Sequence, residues 1–578
     1  MVIPYFENFF LNFIFSFIFL LTNFICSINI NTFLNNRKII TVGYFTVFAF
    51  IIAVYAIIFN FLIIINLANI SQLVFYSLFI FQILFSINLN SLILLRQELR
   101  FLKTNKFFII LVPLFLISIL PISDADSLAI HLNIPNEILS KGHLNINLSK
   151  NIESILYSST EAILIISNFL RSDNFGSQLN FFSMVIFFLA NKNKDNFWYI
   201  VLSFPLIIFL ISTQKLQLFY SLIFLQAFIL INQKNDQKIS IFVILFLIFF
   251  YITGKLNYLL FGFILYIFFL LNYKRFLLNI VIYSIFFFLV ITAPFILIKF
   301  LSYGNPIAPF FDQLFQNREI FMAFENSMRS TEGWLNSDLN IKKILQPVLP
   351  LSSNQLSTSF GLLFVFMLFD IKLLKKTFFI PIILFFLILI NGQLLPRYYL
   401  EAFLVLAYFL NMSGILKKIC IFQSIFIFIF SSIFLFKGYN DLITNNFNKK
   451  LYQINFSYSY NNSLKLKEIA NNKNILVESL DRDSLFFNNN IYSLRYLNIL
   501  KNNSHQHDKI NFNEKLVNYI IDNKILLYVS RKKISNISCI KMKNIGKIGL
   551  IKVTRNFLIQ YPEIDNNIYE VNYENCKR

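Results

Sequence analysis

Some fourteen separate apolar runs set the terms for what this 578-residue chain can become. A helix needs about 20 residues to cross roughly 30 Å of hydrocarbon. Runs near 9–30, 39–66, 71–95, 107–122, 178–190, 196–212, 217–232, 239–253, 257–272, 276–300, 359–371, 377–391, 398–412 and 418–437 approach or reach that length. With 57% hydrophobic and 14% charged residues and a mean hydropathy of +0.64, the chain is far too apolar for a soluble globular protein. The expected fold is a polytopic α-helical membrane protein with about 14 transmembrane helices. The first run is read as a span and not as a cleaved signal, because it continues into Asn31-Thr32-Phe33-Leu34-Asn35-Asn36-Arg37-Lys38 without a small-residue cleavage site. The 75 Phe, with abundant Ile, Asn and Lys, look like coding bias, so position and spacing carry the argument.

The net charge of +21 is accounted for largely by loops. Arg37/Lys38, Arg96/Arg100/Lys103/Lys106, Lys192/Lys194, Lys234/Lys238, Lys274/Arg275, Lys372/Lys375/Lys376 and Lys417/Lys418 fall in every second connection, which places those loops in the cytoplasm. Membrane lipid is therefore the expected partner of these charges, and nucleic acid is not. The N-terminus, the 123–177 loop, the 301–358 loop and everything after about 438 then lie outside. The expected organisation is N-terminal transmembrane helices over 1–106, a transmembrane core over 107–437, and a soluble α/β domain over 438–578. In that last part Leu464 to Ala470 and Glu514 to Ile521 read as helices; Asn474 to Glu478, Ile525 to Val529 and Ile548 to Val553 read as strands. No glycine-rich phosphate loop precedes these helices, so the domain is assigned no cofactor and is expected to cover the external face or contact an acceptor. Cys26 and Cys420 sit in apolar runs as small core residues. Cys539 and Cys576 would pair if their segment lies in an oxidising compartment and geometry permits.

The stretch that points to chemistry runs from Pro121 to His143, PISDADSLAIHLNIPNEILSKGH, directly after the run Phe107 to Leu120. It sets Asp124 and Asp126 at a membrane mouth. In an extended loop two such carboxylates can face one cavity, acting as a general base on a hydroxyl or binding a divalent cation. The competing reading is a helix start, with Ser123 or Asp124 as N-cap. His131 and His143 follow, but their spacing matches no dedicated zinc pattern; His505 and His507 read as solvated. Further along the loop, Ile152, Ile155, Leu156, Ala162, Ile163, Ile166, Phe169 and Leu170 recur at helical spacing, as amphipathic helices along the interface or as a re-entrant pair without a catalytic part. The 301–358 loop opens with Tyr303-Gly304-Asn305-Pro306 and closes with Pro347 and Pro350, marking turns.

Asp124-Ala125-Asp126-Ser127-Leu128-Ala129-Ile130-His131-Leu132, with Pro135 and Gly142 beyond it, resembles the aspartate-bearing first external loop of bacterial GT-C-fold glycosyltransferases, the protein-mannosyltransferase-like integral membrane enzymes. Ile130 stands where those sequences carry Tyr. Glu161 lies in a segment similar to their acidic second stretch. Gly254-Lys255-Leu256-Asn257-Tyr258 resembles their helix mouth, Gly304-Asn305-Pro306 with Pro309-Phe310 a recurrent turn, and Pro396-Arg397-Tyr398-Tyr399 a late Arg-Tyr motif. The resemblance covers about 107–437. It implies transfer of a sugar from a polyprenyl-phosphate carrier to a glycan, lipid or protein acceptor outside the bacterial inner membrane, with the C-terminal domain on the same, periplasmic side. A leaving phosphate needs positive charge held near it more than it needs an acid. Lys215, Lys255 and Arg397 lie outside, against the positive-inside trend, and are the expected carrier-phosphate ligands with His131; snorkelling to lipid headgroups is their other use. Asp126 is the expected base, with Asp124 or Glu161 orienting or polarising. A polysaccharide polymerase or ligase would place its large loop late. A flippase or transporter predicts pseudo-symmetric halves, of which the chain shows no internal repeat; a purely structural membrane scaffold is a further alternative.

Overall fold

A computed structural model describes residues 5–37, 43–86, 89–124, 126–144, 148–233, 238–316, 318–331, 348, 359–370, 396–478, 490–503, 512–551, 563–574 and 576. The expected span at 377–391, the loop-closing Pro347 and Pro350, and His505 and His507 lie outside those residues. The described chain is mostly helical, with one small sheet near its C-terminal end. Among the described residues five helices are long and apolar enough to cross a membrane: Phe9–Asn36, Tyr44–Ile64, Ala68–Ser86, Lys274–Tyr303 and Gly414–Thr444. The first begins at Asn8, whose side chain accepts from the amides of Phe10 and Leu11 at 2.9 and 3.2 Å, the N-cap arrangement that satisfies otherwise orphaned donors.

Several of the other apolar runs form shorter pieces. The run at 107–122 becomes an 11-residue helix, Phe108–Ser118, bent by 110° from the preceding helix, and the two together make a broken span or a re-entrant turn. The run at 196–212 divides around Pro205 into Asp195–Val201 and Leu206–Ile211, because proline cannot continue the hydrogen-bond ladder. Phe175–Ala190, Gln217–Asn232, Ile239–Thr253 and Tyr258–Asn272 are apolar helices that span roughly 23 Å at 1.5 Å per residue. In Gln217–Asn232 every residue up to Ile231 is buried by other helices. Protein interior and lipid reward the same composition, so apolarity alone does not say which one a run faces.

The helix Ser159–Phe169 corrects the expectation of an amphipathic helix lying on the interface: all its residues are buried, its polar ones included. Near it, Asp173 accepts from Asn12 at 2.8 Å, Gln453 at 3.1 Å and the Lys449 ammonium at 3.1 Å, tying the first helix to the helix Lys449–Phe456.

The C-terminal sheet contains β1 (Asn474–Val477), β2 (Ile491–Ser493), β3 (Ile525–Ser530), β4 (Lys541–Ile551) and β5 (Glu563–Asn572) in the order β2-β1-β3-β5-β4. β1 runs parallel to β2 and β3, whereas β5 is antiparallel to β3 and β4. The helices expected at 464–470 and 514–521 fall within Tyr458–Ala470 and Phe512–Asp522. The strand expected at 548–553 starts earlier, at Lys541, because it pairs along its length with β5. This domain rests on the segment that leads to Ser159–Phe169. The Tyr519 hydroxyl donates to the Ser149 carbonyl at 2.7 Å, Ser149 donates to Asn523 at 2.9 Å, and Arg495 pairs with the buried Glu153. A second seat is the ion pair Lys515–Glu319 at 2.6 Å.

Cys539 and Cys576 are joined by a disulfide with Cα atoms 5.2 Å apart, while Cys26 and Cys420 are free and buried. Unreduced peptide mass spectrometry of the protein from native membranes is expected to yield one peptide pair linked through residues 539 and 576. Two alkylated thiols at those positions would contradict it.

Candidate functional site

The acidic loop bears out the capping reading of Asp124. Asp124 accepts from the Ser127 amide at 2.9 Å and from the Ser127 hydroxyl at 2.8 Å, as a capping residue does. Asp126 then opens a single π-helical turn, Ser127–Leu132, of the kind often found at functional sites. Its carboxylate meets the Lys215 ammonium at 2.7 Å, and the same ammonium stands 3.9 Å from Asp124. Two acids two residues apart therefore share one cation.

Lys215 is brought there by its backbone. The Ser127 hydroxyl accepts from the Gln214 amide at 2.9 Å, and the Gln214 side-chain oxygen accepts from the Gly176 amide at 2.8 Å. A Cβ at position 176 would collide with that oxygen, so glycine is what lets the loop come so close. Asn180 donates to the Lys215 carbonyl at 2.8 Å. The lysine side chain is only 7% exposed, and a buried ammonium persists because carboxylates face it.

A second pair lies in the same loop. His131 Nδ1 and Glu161 Oε1 are 2.8 Å apart. Glu161 is the third residue of a helix whose N-cap is Ser158; Ser158 donates to Glu161 at 2.6 Å and accepts from the Thr160 amide at 3.2 Å. The Ser158-Ser159-Thr160-Glu161 order is a capping-box pattern, and a carboxylate in the first turn is favoured by the helix dipole. Burial pushes the His131 imidazole below its ordinary range, against the opposing pull of Glu161.

The remaining cations come from far along the chain. Lys255 occupies the turn between Lys238–Thr253 and Tyr258–Asn272. Burial, then the charges of Arg397 and Lys215, lower its ammonium to about 8, while Glu161 and Glu401 oppose the fall. Thr160 fixes this turn by donating to the Gly254 carbonyl at 2.9 Å. Arg397 sits in the turn Pro396–Tyr399, donates to the Tyr398 hydroxyl at 3.1 Å, and has its carbonyl held by Gln217.

Asp124, Asp126, His131, Glu161, Lys215, Lys255 and Arg397 thus form one chain of electrostatic neighbours. Two charged residues in it were not anticipated, Glu401 and Lys299. Both are buried, Glu401 accepting from Ser221 at 2.9 Å and Lys299 donating to the Ala308 carbonyl at 3.2 Å, with the charge of Glu161 within its range. Each is a charge inside an apolar run, a signal that was present in the sequence. The divalent cation expected at Asp124 and Asp126 does not fit this donor set. A lysine bridges the pair, and hard cations of the calcium or magnesium kind need about six oxygens. Among the described residues no group of three or more His, Cys, Asp or Glu side chains is arranged to hold a metal. The chain matches no protein-family model, no curated protein and no solved structure.

The bridge has a measurable signature. Lys215→Met leaves two neighbouring carboxylates facing each other, and breaking a buried pair in this way costs about 3–5 kcal/mol. The melting temperature in detergent is expected to fall and to recover partly in Lys215→Met/Asp126→Asn. Strictly additive losses in the double variant would show that the two side chains do not act as a pair.

Proposed function

We propose that the chain is a membrane glycosyltransferase that moves a sugar from a polyprenyl-phosphate carrier to an acceptor hydroxyl on a glycan, lipid or protein outside the membrane. The observation that supports this reading is convergence. Two acids from one early loop meet Lys215 directly, and Lys255 lies in electrostatic range both of that lysine and of Arg397, which comes from a turn more than a hundred residues further along the sequence. Lipid-linked donors need such a mixture: a base for the acceptor and cations for the departing phosphate.

In this reading the acceptor oxygen attacks the anomeric carbon as its proton passes to Asp126. The bond from that carbon to the phosphate oxygen breaks, and the electron pair leaves on the carrier phosphate. Lys255 and Arg397 receive the phosphate. Lys215 holds Asp126 oriented until the acceptor arrives, and Asp124 shares that lysine so that its hold on Asp126 is not absolute. His131, held by Glu161, offers its other ring nitrogen toward a hydroxyl. The same reading assigns the chain about 14 spans of a bacterial inner membrane, with the 123–177 loop and the C-terminal domain on the periplasmic face. The Cys539–Cys576 disulfide favours that placement, since such bonds persist in oxidising compartments.

In proteoliposomes carrying a radiolabelled undecaprenyl-phosphate-linked hexose, Asp126→Asn is expected to slow loss of sugar from the carrier by about 100-fold or more, the scale of general-base catalysis. Parent-like turnover would remove Asp126 from the role of base. Binding of undecaprenyl phosphate has a second signature. The Lys255 ammonium binds the anion only while protonated, so affinity is expected to be full below about pH 8 and to weaken as pH rises through it. Lys255→Arg, which stays charged, is expected to abolish that dependence. An unchanged profile would sink the assignment of Lys255.

A further inference from the structure

Glu401 stands in the helix Leu400–Phe409, one turn beyond Arg397, and is 1% exposed in surroundings that are otherwise mostly apolar. One carboxylate oxygen accepts from Ser221 at 2.9 Å, Tyr251 is its other polar neighbour, and the charge of Lys255 reaches it. The ring of Tyr258 stacks on that of Tyr251 at 4.5 Å between centroids. The Tyr258 side chain is buried too, yet its hydroxyl makes no hydrogen bond among the described residues. A buried hydroxyl left without a partner is costly, and its persistence next to an ionisable group marks a place where a polar ligand completes the set.

Position says which part of a ligand that is. Lys255 lies on the turn that ends the helix carrying Tyr251 and begins the helix carrying Tyr258. Gly254, beside it, admits the rings of Tyr220 and Tyr258, both of which a Cβ would strike. A phosphate held by Lys255 and Arg397 therefore places whatever it esterifies next to Tyr258 and Glu401. A serving counter-ion for Lys255 would explain the carboxylate, but it leaves the Tyr258 hydroxyl without a purpose.

We propose that Glu401 and Tyr258 form a sugar-recognition subsite, in which the carboxylate accepts from a hydroxyl of the carried sugar and the phenol donates to a neighbouring sugar oxygen. This deepens the glycosyl-transfer reading and rests on it. A site built to pair a sugar hydroxyl rejects the analogue that lacks it far more strongly than an apolar pocket rejects a missing methylene. Glu401 and Tyr258 thus select among lipid-linked sugars, while Lys255 and Arg397 bind what all of them share.

The test uses the full chain in nanodiscs and measures displacement of radiolabelled undecaprenyl phosphate by the bare carrier and by carriers bearing a hexose, a deoxyhexose or a pentose. The parent protein is expected to prefer at least one glycosylated carrier to the bare one. Glu401→Gln is expected to reduce that preference by roughly 10- to 150-fold, the range for loss of a hydrogen bond to a charged group, and Tyr258→Phe by roughly 2- to 13-fold, the range for a neutral one, with bare-carrier affinity unchanged in Tyr258→Phe. Tyr258→Phe deletes only a hydroxyl that has no described partner, so folding is preserved and the comparison stays interpretable. The proposal is overturned if the preference survives in both variants, if the parent prefers no glycosylated carrier, or if Glu401→Gln weakens the bare carrier as much as the glycosylated one, which is the behaviour of a counter-ion. Absence of any carrier binding by the parent protein, by contrast, removes the glycosyl-transfer reading itself and the subsite with it.

Discussion

Ionised groups buried in an apolar protein must neutralise one another, and this constraint organises the centre of the molecule. An unpaired carboxylate or ammonium taken out of water costs several kcal/mol even after relaxation. The chain meets that cost by pairing: Asp124 and Asp126 with Lys215, Glu161 with His131, Asp173 with Lys449, Glu153 with Arg495. Each pair joins segments remote in sequence, so the same contacts that settle the charge also fix which loops meet. Lys255, with Lys299 and Glu401, is an exception to that pairing among the described ion pairs. Its ammonium is depressed by burial and by like charges, a state that an incoming anion would relieve.

Small residues and short helices make the meeting possible. Gly176 allows the Lys215 loop to press against the start of the helix Phe175–Ala190, and Gly254 allows two tyrosine rings to close around the Lys255 turn. The breaks near Pro205 and around residue 255 leave backbone turns where an uninterrupted span would have placed only side chains. The C-terminal domain adds a further restraint. Through Ser149 and Glu153 it grips the segment that leads into Ser158 and Glu161, so the position of the acidic helix depends on a sheet built from the last hundred residues.

Much of this was legible in the sequence, and the remainder was not for identifiable reasons. Asp124, Asp126, Lys215 and Lys255 stood out because charge is scarce in an apolar chain and these charges fell on the side where cations are uncommon. The capping geometry of Asp124 was foreseen, but its sharing of Lys215 with Asp126 was not, because that lysine was read as a carrier-phosphate ligand. Counting apolar runs gave no way to separate lipid-facing helices from interior ones, which is why Gln217–Asn232 and Ser159–Phe169 read as membrane or interface segments while packing on all sides against protein. β2 and β5 were missed because the first is only three residues long and the second is rich in Asn, Asp and Glu, residues that strands usually avoid. Glu401 was not anticipated because its signal is an acid inside a helix and not in a loop.

The central claim is spatial: acids from residues 124–161 and cations from residues 215, 255 and 397 surround one anion-binding site. A cryo-EM map of the full chain in nanodiscs containing undecaprenyl phosphate addresses it directly. The account predicts phosphate density within hydrogen-bond reach of Lys255 and Arg397, in the same cavity as the Asp126–Lys215 pair. Density bound elsewhere, or a map in which Asp126 and Lys255 open to opposite faces of the bilayer, would contradict it.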